Sequence, residues 1–192
     1  MVATHLICHS VTNYMSKQIN QKTKIINYRG GIVTFSIPVN WREEYEALGG
    51  ATFYEDHSDS GTLRLNVLTF ESDDTPAQQM SLNAFPVDSF QLLPTGFPIL
   101  YAVNEAMEDE DRLHIHIWKV AVPILPHCLR IVVFQHTILA SQESDPLIMS
   151  ELALLRQSIH SAHFSKQQAS RAATLHEYCH PPINSRVKDS GW

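Results

Sequence analysis

Alternation of apolar and polar residues predicts that most of the regular structure of this chain is β-strand. Between Gly31 and Pro38, Val33, Phe35 and Ile37 alternate with polar residues, which is typical of a strand with one face in a core. The same pattern predicts further strands at 51–55, 62–71, 99–107, 113–122 and 129–139. Successive strands joined by short turns favour antiparallel pairing.

The strand predicted at 129–139 differs from the others because it is apolar on both faces. Leu129 and Ile131 lie on one face, and Val132 and Phe134 lie on the other. A strand that is buried on both sides is usually central in its sheet and covered by other elements on both faces.

A helix is predicted near the end of the ordered chain. Asp145 and Pro146 form a helix start, with an acidic residue at the positive end of the helix dipole. Apolar residues then recur at spacings of four, three and four: Ile148, Leu152, Leu155 and Ile159. This stripe requires a sheet on which to pack.

The middle of the chain is less regular. The stretch 40–45 predicts a short helical or irregular turn. Thr75 as a cap and Pro76 at the first helical position predict a second helix, which would run to Phe85. The remaining residues, 86–97, are predicted to be loop.

These elements predict an α+β fold: a mostly antiparallel sheet of five to six strands with helices packed on its faces, an α/β/α sandwich. The 192 residues correspond to about one domain and are enough to bury a sizeable core. We expect a flexible N-terminal arm over 1–27, a single domain over 28–164 and a polar tail over 165–192.

Charge is segregated along the chain. Residues 1–31 carry a formal charge of +4, residues 32–164 carry −12, and residues 165–192 carry +2. Nucleic-acid affinity depends on Lys and Arg that neutralise phosphates, so we expect no nucleic-acid partner. The most apolar stretch, Val120–Phe134, contains two prolines, His127 and Arg130, and no secretory signal is evident. We therefore expect a cytoplasmic protein that does not bind membranes.

One stretch of sequence resembles a known family. Ile32–Trp41 reads Ile-Val-Thr-Phe-Ser-Ile-Pro-Val-Asn-Trp, and it resembles the opening strand, proline and tryptophan of PsbP-like domains. This superfamily includes the Ran-binding Mog proteins and DcrB-type bacterial proteins. Ala51–Asp56, Gly61–Asn66 and the order of elements over residues 30–163 are also similar. The resemblance implies an α/β/α sandwich that serves as a binding or accessory domain, and it carries over no catalytic residue.

Three side chains on one predicted strand form a candidate site. His114, His116 and Trp118 alternate along the strand and therefore share one face. Two histidines at this spacing can be metal ligands if a third ligand is present, for which His127 and His136 are candidates. The alternative is an amphipathic strand face whose histidines are hydrogen-bonded or partly solvated.

Two further groups of residues leave alternatives open. Phe90 and Phe97, in the predicted loop, either pack back on the domain or offer an interaction surface. The sequence H-x-x-C-H occurs at 5–9 and again at 176–180. The two copies would provide zinc ligands if the chain ends met, or they are a coincidence.

The sequence contains no nucleophile elbow, Walker A loop or dinucleotide-binding glycine pattern. This favours a non-enzymatic binding or accessory domain that engages a protein partner and needs no cofactor. Its expected binding surface combines the segment 85–98 with the strand face that bears His114, His116 and Trp118. The alternative is a small-molecule or metal site, enzymatic or not, on that same face.

Overall fold

The computed structural model describes residues 22–167 except for residues 48, 58 and 59. In this part of the chain, ten strands and two α-helices follow one another, with 3₁₀ turns at Arg29–Gly31 and Ala140–Gln142. The strands are β1 Thr23–Tyr28, β2 Val33–Pro38, β3 Arg42–Tyr45, β4 Ala51–Tyr54, β5 Thr62–Glu71, β6 Phe90–Leu92, β7 Pro98–Glu108, β8 Asp111–Ile124, β9 Cys128–Leu139 and β10 His163–Phe164. The helices are α1 Ala77–Leu82 and α2 Pro146–His160.

The strands form two antiparallel sheets. The larger one has seven strands in the order β3-β4-β5-β9-β8-β7-β6, and the smaller one has the order β1-β2-β10. The predicted α+β class is therefore confirmed. So is the central position of the strand predicted at 129–139, since β9 pairs with β5 on one side and β8 on the other.

The small sheet and α2 cover one face of the large sheet, which we call the core face. Strand alternation points Leu65, Trp118 and Phe134 towards this side, and all three are buried. Phe35 of β2 closes the layer from the small sheet, with its ring 5.1 Å from that of Phe134 in an edge-to-face arrangement. Burial of these large side chains supplies most of the stabilisation of the fold.

Side-chain hydrogen bonds hold helix α2 near both of its ends. The Asp145 carboxylate accepts a hydrogen bond of 2.7 Å from the Leu147 N–H, so Asp145 is the N-terminal cap at the predicted helix start. Towards the C-terminus, the Ser158 hydroxyl donates to the Ser36 carbonyl at 2.6 Å and accepts from the Ser36 N–H at 2.8 Å. The helix is thereby attached to β2 as well as packed against it.

The opposite, outer face of the large sheet carries a smaller core beneath α1. Phe85, Ala121 and Leu129 form its buried centre, and the Ser81 hydroxyl donates to the Ala121 carbonyl at 2.8 Å. Helix α1 is shorter than predicted and has Pro76 at its N-cap position, with no side-chain hydrogen bond there.

The large sheet has seven strands instead of five to six, because two stretches predicted to be irregular are edge strands. Arg42–Tyr45 pairs with β4, and Phe90–Leu92 pairs with β7. All four residues of the first are classed as exposed and the second spans three residues, so neither shows the apolar alternation of a half-buried strand. In addition, β2 belongs to the small sheet, whereas the sequence predicted a single sheet that contained this strand.

The arm predicted over 1–27 is also corrected, because β1 occupies Thr23–Tyr28 and pairs with β2. Ile26 and Tyr28 are buried, and the Tyr28 hydroxyl accepts a hydrogen bond from the Gly50 N–H. Lys24 lies on the same face as Ile26 and Tyr28, and the apolar Ile25 lies on the exposed face, so the sequence of this strand lacks a clear apolar alternation. No helix within the described residues is long and apolar enough to cross a membrane.

Candidate functional site

The strand face predicted from His114, His116 and Trp118 is the core face, so these side chains lie beneath other elements. His116 is directly opposite His136 of β9, and both are buried. The Tyr101 hydroxyl, from β7, lies 2.8 Å from His116 Nδ1. The structure thus places His116 in a packed row of aromatic rings on adjacent strands.

His136 is held from three sides. Its Nε2 atom lies 2.8 Å from Glu151 Oε1 of α2, and its ring stacks on Trp41 with centroids 6.0 Å apart. Gly61 of the neighbouring chain segment approaches so closely that a Cβ atom there would overlap the His136 ring. This group of residues fixes the ring in one orientation inside the core.

His114 lies near the end of the row and faces carboxylates instead of other histidines. Its Nδ1 atom is 3.4 Å from Glu143 and its Nε2 atom is 3.8 Å from Glu105. Among the residues that the structure describes, no three His, Cys, Asp or Glu side chains gather in a way that could hold a metal ion. The two H-x-x-C-H segments lie outside the described residues.

Burial is the main influence on the titration of His116. It lowers the pKa of the imidazole below the ordinary value of 6.5, and the neighbouring His136 acts in the same direction. The Glu143 carboxylate opposes this shift. His116 is therefore a neutral, hydrogen-bonded core residue at neutral pH.

Phe90 and Phe97 lie on opposite sides of the large sheet. Phe97 is only 4 % exposed and packs in the main core, 6.3 Å from the ring of Phe164. Phe90 is partly buried on the outer face, 6.3 Å from the ring of Phe85. A single partner surface cannot include both rings.

A cavity of about 260 Å³ opens beside α2, next to the aromatic row. Its floor is formed by neighbouring residues of three strands, because Gln91 pairs with Ile99 and Tyr101 pairs with Trp118. Arg156 and His160, four residues apart and thus on the same face of α2, form the wall. The lining residues are Ser89, Gln91, Ile99, Tyr101, Trp118, Arg156 and His160.

The chemistry of this cavity is aromatic and cationic. The rings of Tyr101 and Trp118 lie 5.2 Å apart, and the Arg156 guanidinium lies 5.2 Å from the centre of the Tyr101 ring. Ser89 and Gln91, from the predicted segment 85–98, line this cavity together with Trp118 of the predicted strand face. Tyr101, Arg156 and His160 were not among the residues predicted from the sequence, although the spacing of the last two on a helix was a usable signal.

The outer edge of β7 is the second feature with binding potential. Strand β6 pairs with residues 98–100 only. In the described part of the chain, no strand covers the outer side of β7 from Tyr101 to Glu108. Edge strands with unpaired backbone groups readily accept another strand.

Comparisons with known proteins concern the fold. No protein-family model matches the chain, and a search of curated proteins found no significant match. Among solved structures, a protein of Bacteroides thetaiotaomicron is similar with a TM-score of 0.51 and 15 % identity, over 75 % of this chain and 49 % of the other. This chain therefore matches about half of the length of that protein.

Two further structures are similar at TM-scores of 0.48. LpqN of Mycobacterium tuberculosis, described as involved in cell envelope biogenesis, is 11 % identical over 84 % of this chain and 98 % of its own. A point mutant of the protein Mog1 is 12 % identical over 74 % of this chain and 95 % of its own. At these identities and TM-scores, neither similarity bears on the function of this chain.

Proposed function

We propose that this protein is a binding domain that receives an extended segment of a protein partner along the outer edge of β7. The observation that supports the proposal is the uncovered stretch from Tyr101 to Glu108. An added strand would satisfy the outward-facing backbone groups of this stretch, as in other cases of recognition by strand addition.

The side chains along this edge favour contact with apolar residues. Tyr101, Val103 and Met107 are 40 %, 44 % and 65 % exposed, and they lie on the same face because they are separated by even numbers of residues. The opposite edge of the sheet is different, since β3 is four residues long and contains Arg42, Glu43 and Glu44. Short, charged strands of that kind resist pairing with other chains.

The charge beside the edge indicates the chemistry of the partner. The turn Glu108–Asp111, which joins β7 to β8, consists of four acidic residues. None of them forms an ion pair with another described residue, whereas Glu105 is paired with Arg112 at 3.2 Å. A partner strand with Lys or Arg near this turn and apolar residues at alternate positions would match both features.

The proposal is tested with peptides selected from a random library displayed on phage. We expect the selected peptides to alternate apolar and basic residues. Val103→Lys should weaken their binding at least about tenfold by placing a like charge on the edge, a change that corresponds to about 1.4 kcal/mol. Calorimetry at two salt concentrations measures the effect, and higher salt should also weaken binding.

Ile25→Lys is the matched control, because Ile25 is an exposed apolar residue on β1 of the small sheet. This variant should bind the selected peptides as the wild type does. If no peptide of this composition is selected, or if Val103→Lys binds as well as Ile25→Lys, the proposed role of the β7 edge is wrong.

A further inference from the structure

We propose that the cavity beside α2 binds a small organic carboxylate. This ligand site adjoins the strand edge, since Tyr101 belongs to both, and it goes beyond the proposed recognition of a protein partner. The site consists of the residues that line the cavity. Its charge, its hydrogen-bond donors and its size each support the binding of a carboxylate.

Charge is the first argument. The segment 32–164 carries −12, yet none of the seven residues that line the cavity is acidic. Arg156 forms no ion pair with any described carboxylate, and its guanidinium lies above the Tyr101 ring. An arginine without an acidic partner in an acidic domain offers a local attraction for one anion, and its planar fork matches a carboxylate.

Hydrogen-bond donors are the second argument. His160, Gln91 and Ser89 add polar groups to the lining around Arg156. The Gln91 amide and the Ser89 hydroxyl can each donate a hydrogen bond to a carboxylate oxygen. Trp118 contributes its ring to the lining, since its indole N–H is buried from solvent.

Size and shape are the third argument. About 260 Å³ is slightly below the range of roughly 300–1,000 Å³ that holds drug-sized ligands, so the ligand is small. Ile99 and the rings of Tyr101 and Trp118 form an apolar floor, which suits a flat hydrophobic body. An aromatic carboxylate combines this body with the anionic group, and benzoate is the simplest probe.

The experiment titrates the full chain with benzoate by calorimetry and by NMR of the tryptophan indole signals. We expect saturable millimolar binding that shifts the Trp118 signal more than the Trp41 signal. Benzamide has the same shape without the charge, and it should bind at least about tenfold more weakly, because charge-assisted hydrogen bonds are roughly twice as strong as neutral ones.

Three variants locate the anion site. Arg156→Gln should weaken benzoate binding at least about tenfold, and Arg156→Lys, which keeps the charge but not the planar fork, should bind with an intermediate affinity. Arg64→Gln, at an exposed arginine of β5, should bind as the wild type does. Circular dichroism verifies that each variant is folded.

The carboxylate has two possible sources, a free small acid or the C-terminal carboxylate of a peptide. Acetyl-valyl-phenylalanine and its C-terminal amide distinguish them. Tighter binding of the free-acid dipeptide than of benzoate assigns the site to a chain terminus, and weaker binding assigns it to a free acid. Either result supports the carboxylate site, provided that Arg156→Gln removes the binding.

The result that overturns the proposal is binding of benzoate that Arg156→Gln leaves unchanged, or no saturable binding of either probe. This failure is distinguishable from failure of the proposed function, since Val103→Lys alters the strand edge and should leave benzoate binding intact. Loss of benzoate binding in Val103→Lys would place the ligand on the edge and would also contradict the cavity assignment.

Discussion

His116 shows how a residue that suggests metal binding in the sequence is used as part of the core. Its ring is buried, lies 2.8 Å from the Tyr101 hydroxyl through Nδ1 and stacks 6.3 Å from Trp118. Burial lowers its pKa, so in the folded protein it remains neutral to a lower pH than in the unfolded chain. As the pH falls below about 6.5, the unfolded chain binds the proton first and stability is lost.

The pH dependence of stability therefore contains a contribution from this ring. We expect His116→Gln to lose less of its free energy of unfolding than the wild type when the pH falls from about 7.5 to about 5.5, because each unit of pKa depression accounts for up to about 1.4 kcal/mol. Urea denaturation at both pH values measures the difference. His163→Gln, at an exposed histidine of β10, should keep the wild-type dependence, and an equal dependence in all three proteins would contradict this interpretation.

Sequence alone could place His114, His116 and Trp118 on one strand face, because that follows from the two-residue period of a strand. It could not show that α2 covers this face, since coverage is decided by a helix far along the chain. Phe97 illustrates the same limit. Nothing local distinguishes a loop phenylalanine that faces a partner from one that packs 6.3 Å from Phe164.

At the scale of elements, the stability that α2 adds to the fold comes from its apolar stripe more than from its exposed residues. Leu155 is fully buried, whereas Leu147 is 80 % exposed on the same helix. We expect Leu155→Ala to lower the free energy of unfolding by about 2–5 kcal/mol. Leu147→Ala should change it by no more than about 0.5 kcal/mol. Chemical denaturation measures both values, and equal losses would show that the helix is not anchored through its stripe.

Elements with strong periodicity were predictable, and elements at the sheet edges were not. The predicted bounds of β5 and the predicted helix start at Asp145 agree with the structure. The first half of β5 alternates between buried and more exposed residues, and Asp145 caps α2. Strands β3 and β6 exist because a neighbouring strand offers backbone partners. Their own side chains carry little of the signal, so a local sequence pattern cannot reveal them.

At the scale of the whole molecule, one serine joins the two ends of the domain. The Ser158 hydroxyl bonds to both backbone groups of Ser36. We expect Ser158→Ala to cost about 1–3 kcal/mol, because two part-buried backbone groups lose their partner. Ser161→Ala is the control, since the Ser161 hydroxyl donates to carbonyls of its own helix, those of Gln157 and Ser158, and it should cost no more than about 0.5 kcal/mol. Thermal unfolding of the two variants compares the costs.

The hydrogen bonds between Ser158 and Ser36 also bear on the order in which the nascent chain folds. Ser36 and Ser158 are 122 residues apart, and at translation speeds of about 5–20 residues per second the ribosome needs roughly 6–24 seconds to add the intervening residues. During that interval the hairpin of β1 and β2 has been synthesised, but α2, which packs against it, has not. We therefore expect the packing of α2 against β2 to form late in biosynthesis, after α2 has left the ribosome.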